Sequence, residues 1–349
     1  MGPDRTPLDQ VEPAERIPGE EVLVRRRGVA SLVAATSTWI FLVLLVIIGV
    51  FAALNFDAFA SVSNVRNVMI DASGLLIISV GMTFVIITAG IDLSVGSVLV
   101  FSSVVGALVM RAMGGEGLTA ILVGLVSTLA AGLAWGLVNG TLIAKARIPP
   151  LIVTLGTLGM ALGSALLLTG GINVRGMPIE LVTTVGIGRL FDTIPYLVVI
   201  AAGVTVFGAV LLHFTRFGRF TFAIGSNAEA ARRAGINVPR HLIKVYGMAG
   251  LLAGLAGFLS LARFTATTIQ GHATDNLQAI AAVVIGGTSL FGGVGTIAGT
   301  VVGVFIPSVL QNGFIIIRVQ PFWQQVAVGA VLVLAVYVDQ LKRRARERQ

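Results

Sequence analysis

The feature that most constrains this chain is where its charges are not. Of the 24 basic and 16 acidic residues among 349, 11 fall within residues 1–27 and 7 within residues 339–349. That leaves 22 for the 311 residues between, where a soluble domain would carry about one charge in four. With 56% of the chain hydrophobic, the middle belongs in a bilayer. The expected fold class is an all-α polytopic membrane protein, because helices satisfy their own backbone polar groups in lipid.

A spanning helix needs about 20 apolar residues, so the intervals between charges can be counted as spans. Uncharged runs of that order are 28–56, 72–91, 93–110, 117–144, 148–174, 193–215, 245–262, 276–317 and 319–338. The run 276–317 is too long for one helix and is interrupted by Gly286, Gly287 and Gly292-Gly293-Val294-Gly295, so it reads as two spans. The count is then ten, with the boundary at Asp92 the least sharply marked. The transmembrane domain occupies 28–338. Residues 1–27, rich in proline and charge, read as a disordered tail, and residues 339–349 as a basic one.

Ten spans place both ends on one side, and basic residues mark the cytoplasmic side of a membrane protein. With the N-terminus inside, 18 of 24 basic residues are cytoplasmic. They include Lys145, Arg147 and the six in the loop 214–244; only Arg66, Arg111, Arg175, Arg189, Arg263 and Arg318 fall outside. The net charge of +8 therefore reports orientation and contact with anionic lipid rather than nucleic acid.

Several chemistries are excluded. Without cysteine there is no disulfide or thiolate chemistry, and three scattered histidines do not suggest a metal site. No glycine-rich stretch ends in Gly-Lys-Ser or Gly-Lys-Thr, so ATP hydrolysis is expected elsewhere. No catalytic constellation is present, and the expectation is a chain that is not an enzyme. Asp71 and Asp92 are the only acids near membrane depth, an unpromising set for an ion-driven relay. A pathway for neutral solutes fits better.

Within the loop, Ser226 followed by Glu229 has capping-box spacing, and Ala228 to Ala234 are mostly strong helix formers. Gly235 suits the left-handed cap, and Pro239 bars resumption. Two turns of helix should stand there, with Ala230, Ala231 and Ala234 on the surface and Arg232 and Arg233 free to pair with acids of a partner. The alternative is a solvated connector. So short a helix needs something packed on it to persist.

Here the chain resembles a known family. Glu229-Ala230-Ala231 followed by Gly235 is similar to the loop by which bacterial ABC-importer permeases seat in their ATPase subunit. "GIDLSVGS" (Gly90–Ser97), "PPLIVTLGT" (Pro149–Thr157), "AIGSNAEAARRAGI" (Ala223–Ile236), "LQAIAAVVIGGTSLFGGVG" (Leu277–Gly295), "NGF" (Asn312–Phe314) and "FWQQVAVG" (Phe322–Gly329) resemble the ribose-type monosaccharide branch in family order. One departure stands out: where many members carry Glu-Leu-Asp, this chain has Asn276-Leu277-Gln278. The resemblance implies a homodimer in the bacterial inner membrane, a cytoplasmic ATPase subunit that binds ATP and Mg, and a periplasmic sugar-binding protein. The cargo it implies is a monosaccharide or polyol. Rival readings are a self-sufficient transporter or facilitator, and an ABC permease for branched-chain amino acids or nucleosides.

Broken spans are where transporters present backbone and polar side chains to cargo. The candidates for the pathway are Asp92, which also suits an N-cap, and the amides Asn276, Gln278, Asn312, Gln324 and Gln325. The competing role for the amides is to satisfy carbonyls freed at helix breaks. Asn139-Gly140 before Arg147 and Asn312-Gly313 before Arg318 form a faint echo, as inverted five-helix repeats would require. Glycine stripes at 132/136/140, 159/163, 250/254 and 299/303 permit close helix packing, expected mainly within the chain.

The basic asymmetry predicts that position 180 faces out and position 229 faces in. Glu180→Cys and Glu229→Cys in this cysteine-free chain, probed in intact cells with an impermeant thiol reagent, should label at 180 alone. Labelling at 229 but not at 180 would reverse the topology.

Overall fold

A computed structural model describes residues 36–320 and, beyond them, Phe322, Trp323, Val326, Gly329, Ala330, Val333 and Tyr337. The tails 1–27 and 339–349, most of the run 319–338, and Gln324 and Gln325 lie outside the described residues. The helices are α1 (Thr36–Leu54), α2 (Phe56–Phe59), α3 (Val62–Ile87), α4 (Val95–Ala112), α5 (Gly117–Ala144) and α6 (Pro150–Thr169). A short α7 (Ile179–Leu181) runs into a π-helical turn, Val182–Gly186, and a two-stranded hairpin follows, β1 (Arg189–Leu190) with β2 (Ile194–Pro195). Then come α8 (Tyr196–Phe214), α9 (Arg216–Ser226), α10 (Ala228–Arg233), α11 (Val238–Phe264), α12 (Asp275–Ile285) and α13 (Ile297–Ile316).

The all-α membrane fold expected from charge segregation is what stands. Seven described helices are long and apolar enough to cross a bilayer: α3, α4, α5, α6, α8, α11 and α13. Of the other three expected spans, one is represented by a shorter apolar stretch, Ile40–Leu54 in α1, and one falls mostly outside the described residues. The third is a correction. The run 276–317 does not hold two full spans; α12 has 11 residues, about half of what a bilayer needs.

α3 and α11 are enclosed along most of their length, and they meet where Gly81 lets the Ala249 backbone approach. α4 and α5 join this centre through α11 and α6 lies on α4 and α5, whereas α8, α12 and α13 gather on α3, and α1 lies on α13. Between α3 and α13 the Thr83 and Thr300 hydroxyls meet at 2.7 Å, in a buried hydrogen bond. α5, α6 and α8 turn leucines, valines and phenylalanines outward, among them Leu122, Val126, Leu155, Leu167, Phe207 and Phe214. Faces this apolar suit lipid, not water.

The α5–α11 pair has the most extensive contact of any two elements, and glycine is the reason. A Cβ on Gly132 would run into the Gly250 carbonyl, one on Gly136 into the Tyr246 carbonyl, and one on Gly254 into the Thr128 carbonyl. Two of the stripes thus face each other inside the chain, backbone on backbone. In lipid, where apolar burial gives no drive, such dispersion contact is what joins helices. The 299/303 stripe does the same against Gly286 and Ala282, whereas Gly159 and Gly163 have open space around them.

α5 is flanked by Glu116 at its start and Lys145 at its end, which fixes two opposite ends. At the Lys145 end, a groove brings Lys145 and Arg147 beside Ala228, Arg232 and Gly235. At the other end, Arg111 and Glu116 share a groove with Arg175. The basic turn and the loop assigned to one side by charge are therefore neighbours. Arg147 and Arg318, the two ends of the sequence echo, both take left-handed backbone, φ 58° and 59°.

The loop 214–244 is almost wholly helical, and its local reading needs three corrections. Pro239 does not bar resumption: α11 starts at Val238 with Pro239 in its first turn, where a proline is tolerated. Asn227, not Ser226, caps α10: its Oδ1 accepts from the Ala230 amide at 2.9 Å, while Ser226 ends the preceding helix. Ala231 is not on the surface; it packs inward with Ile224 and Val238, which supplies the contact so short a helix needs. Ala230 and Ala234 remain exposed, and Gly235 takes φ 83° as expected. Arg232 and Arg233 both lie 3.4 Å from Glu229 on the exposed face.

The seam predicts a sharp contrast. Gly136→Leu should cost about 1–3 kcal/mol by overpacking and lower the Tm of the detergent-solubilised protein, while Gly159→Leu leaves it nearly unchanged. Equal losses at both positions would mean that the seam does not hold α5 on α11.

Candidate functional site

The helix breaks set the site. α3 stops at Ile87 and α4 begins at Val95, so the carbonyls between need partners from elsewhere. Each of three has one: the Gly293 amide donates to Ile87 at 2.9 Å, Thr154 Oγ1 to Ile91 at 3.2 Å, and Asn276 Nδ2 to Leu93 at 2.9 Å. Asp92 is buried in this turn, with Oδ1 accepting from the Ser94 amide at 2.8 Å and the Ser94 hydroxyl at 2.6 Å. It stands two residues ahead of the position where it was expected, since Ser94 is the N-cap of α4. Asn139 Nδ2 donates in turn to Ser94 Oγ at 2.9 Å.

The second break, after Phe264, builds a cavity. Thr265 turns the chain in left-handed backbone, φ 59°, and the following segment folds back. It is tied by Thr267 to Val174 in both directions and by Ile269 to Asn173. This brings His272 and the start of α12 against α11 and α3. A cavity of about 360 Å³ lies there, lined by polar groups from four helices and the loop: Asp71, Ser73, Ser260, Arg263, His272, Asp275, Gln278, Ser308 and Gln311. Its apolar walls come from Leu75, Leu99, Leu197, Leu259 and Ile315. A small hollow in which convergent polar groups are set among apolar walls is a common form of small-molecule site.

The charges in the cavity are paired. Arg263, at the end of α11, forms an ion pair with Asp71 of α3. His272 Nδ1 donates to Asp275 Oδ2 at 2.7 Å, and its Nε2 lies 2.9 Å from Ser260 Oγ. Ser260 also reaches Thr268 Oγ1 at 3.3 Å. Among the described residues, the charged side chains that line the cavity each have a partner, which suits it to hydroxyl groups.

Among the described pathway candidates, Gln278 alone lines this cavity, with Nε2 on Thr274 Oγ1 at 3.2 Å. Asn276, two residues away, points to the Leu93 carbonyl and borders a second, smaller pocket. Asn312 is buried against Asn64, each amide donating to the other's oxygen at 2.8 and 3.0 Å. Asp92 lies outside the cavity, in the α3–α4 turn; Gln324 and Gln325 are outside the described residues. The residues of the loop candidate, Ser226 to Gly235, form a separate surface at the Lys145 end. What sequence reasoning left out is the set His272, Asp275, Ser260, Arg263 and Gln311. His272 and Asp275, three apart beside a helix start, were the available signal.

The comparisons agree with one another. The family model described as "Branched-chain amino acid transport system / permease component" matches residues 64–336. "Ribose import permease protein RbsC" of Escherichia coli (strain K12) is 38% identical over 88% of this chain and 96% of its own. "Galactose/methyl galactoside import permease protein MglC" of Haemophilus influenzae is 34% identical over 87% and 94%. "Fructose import permease protein FrcC" of Rhizobium meliloti is 35% identical over 77% and 75%. No solved structure matches at a significant level. With more than half of its length matched and its helices built for a bilayer, the chain belongs to this family of transport-system permeases, as a multi-pass protein of the bacterial inner membrane.

Proposed function

We propose that this chain is the membrane-spanning subunit of a bacterial ABC importer that carries a monosaccharide or a related polyol by alternating access. The observation that carries the reading is the cavity: small, enclosed by spanning helices, polar, and with its charges already paired. A solute with several hydroxyls finds donors and acceptors there to replace its water. The relatives named for ribose, galactose and fructose import support the same cargo class.

The family's description names branched-chain amino acids, and that is the second reading. Such a zwitterion is best held where charged side chains or helix ends are free to face its ammonium and carboxylate. Arg263 is engaged by Asp71, and Asp275 by His272, so the neutral cargo is favoured.

The energy source lies outside this chain. A partner ATPase holding ATP and Mg would seat on α10, where Glu229, Ala230, Arg232 and Arg233 are exposed and Ala231 anchors the helix to the bundle. A second copy of the chain, a periplasmic sugar-binding protein and the surrounding lipid complete the set of partners. Both termini would be cytoplasmic, and the two left-handed arginines after α5 and α13 are what inverted repeats would leave.

Reconstituted with its ATPase and binding protein, the chain should take up at least one of D-ribose, D-galactose, D-allose and D-fructose only when ATP is supplied. Gly235→Pro forces φ from 83° to about −65°, and should cut uptake about tenfold, within the usual range of coupling energies, while the sugar still binds its soluble receptor. ATP-independent uptake by the chain alone would overturn the reading; an unimpaired Gly235→Pro importer would remove α10 from coupling.

A further inference from the structure

His272 is held at both of its ring nitrogens. Asp275 Oδ2 accepts a hydrogen bond from Nδ1 at 2.7 Å, and Nε2 lies 2.9 Å from the Ser260 hydroxyl. Both nitrogens are thus engaged, and the ring plane is fixed from two sides by residues on different elements. The segment that carries it is anchored as well. Its neighbour Thr268 meets the same Ser260, and Thr267 and Ile269 are hydrogen-bonded to the α6–α7 connection.

The position of the ring is as telling as its restraint. His272 borders the 360 Å³ cavity on one side and a hollow of about 100 Å³, beside Gly96 and Asn276, on the other. Its carbonyl packs where Gly96 has no side chain, so close that a Cβ there would sit 2.9 Å away. The imidazole is therefore a partition, about 15% exposed with its Asp275 partner at 19%. A wall residue that cannot rotate freely reads shape: a hydroxyl placed toward Ser260 and His272 is received or rejected according to its direction. Gln278, one turn into α12, presents an amide to the same space.

We infer that His272, oriented by Asp275 and Ser260, is a specificity-determining residue by which the membrane subunit itself discriminates between monosaccharides. This rests on the sugar-import reading above and extends it. Selection would then occur twice, first in the soluble receptor and again in the membrane. A wall whose own groups are already paired admits a hydroxyl only where that hydroxyl can add a bond to a remaining lone pair of Ser260 or Asp275, so a sugar that turns it away gains nothing there or meets the fixed ring.

The test uses the complete importer in proteoliposomes, with the same wild-type binding protein and ATPase throughout, so that any change in preference arises in this chain. Maximal uptake rates are measured for D-ribose, D-galactose, D-allose and D-fructose, and the ratio between the two fastest is compared. His272→Ala should shift that ratio about threefold to tenfold, the range one hydrogen bond supplies. Ser260→Ala, which removes one tether and keeps the ring, should shift it less and in the same direction, and it decides the matter should His272→Ala fail to assemble with the ATPase. An unchanged ratio in both His272→Ala and Ser260→Ala, or a uniform slowing of all sugars, would overturn the inference. Transport of none of the four by the wild-type importer would instead overturn the sugar reading beneath it.

Discussion

A backbone carbonyl in a bilayer has no water to turn to, and this constraint organises the molecule. Leaving one buried and unpaired costs several kcal/mol, so every interruption of a spanning helix must be matched by a donor from another element. At the α3–α4 break the donors are Gly293, Thr154 and Asn276, drawn from three different parts of the chain. At the end of α11, Thr267 and Val174 exchange bonds instead. The polar residues scattered through apolar sequence are thus not all facing solute. Several are the fasteners that make a broken helix tolerable.

The same breaks connect the cavity to the basic end. Ile87, whose carbonyl bonds Gly293, also lies where Gly225 of α9 has no side chain, and Gly293 in turn abuts Ser226. Leu93, six residues on, is held by Asn276 at the start of the cavity-lining α12. A short, glycine-packed turn therefore touches both α9 and the helix that carries Asp275 and Gln278. The glycine seam packs α5 against α11, the helix that carries Ser260 and Arg263.

Much of this was legible in sequence, and the failures have physical causes. Uninterrupted runs between charges located the long helices because charge is so costly in lipid. Glycine clusters marked real breaks, but periodicity could not tell a half-length helix from a full one, and so 276–317 was overcounted. Ser226 and Asn227 are adjacent residues of equal capping ability, and only the tertiary contact that turns Ala231 toward Ile224 and Val238 chooses between them. Asn276 and Gln278 were indistinguishable as amides. Two residues on a helix lie about 200° apart, and a uniformly apolar sequence does not say which side holds the cavity. His272 was set aside because isolated histidines are poor metal ligands; its role depends on a chain reversal at Thr265 that leaves no strong signature.

The central claim is that the hollow between α3, α11, α12 and α13 is the solute path, and the two neighbouring amides test it most directly. In the cysteine-free chain, Gln278→Cys and Asn276→Cys are compared for modification by a small, water-soluble thiol reagent in the reconstituted importer, with and without transported sugar. The account predicts that position 278 reacts, that sugar turnover changes its rate, and that position 276 stays protected against the Leu93 carbonyl under both conditions. Fast, sugar-sensitive modification at 276 with an inert 278 would place the path on the other face of α12 and contradict the account.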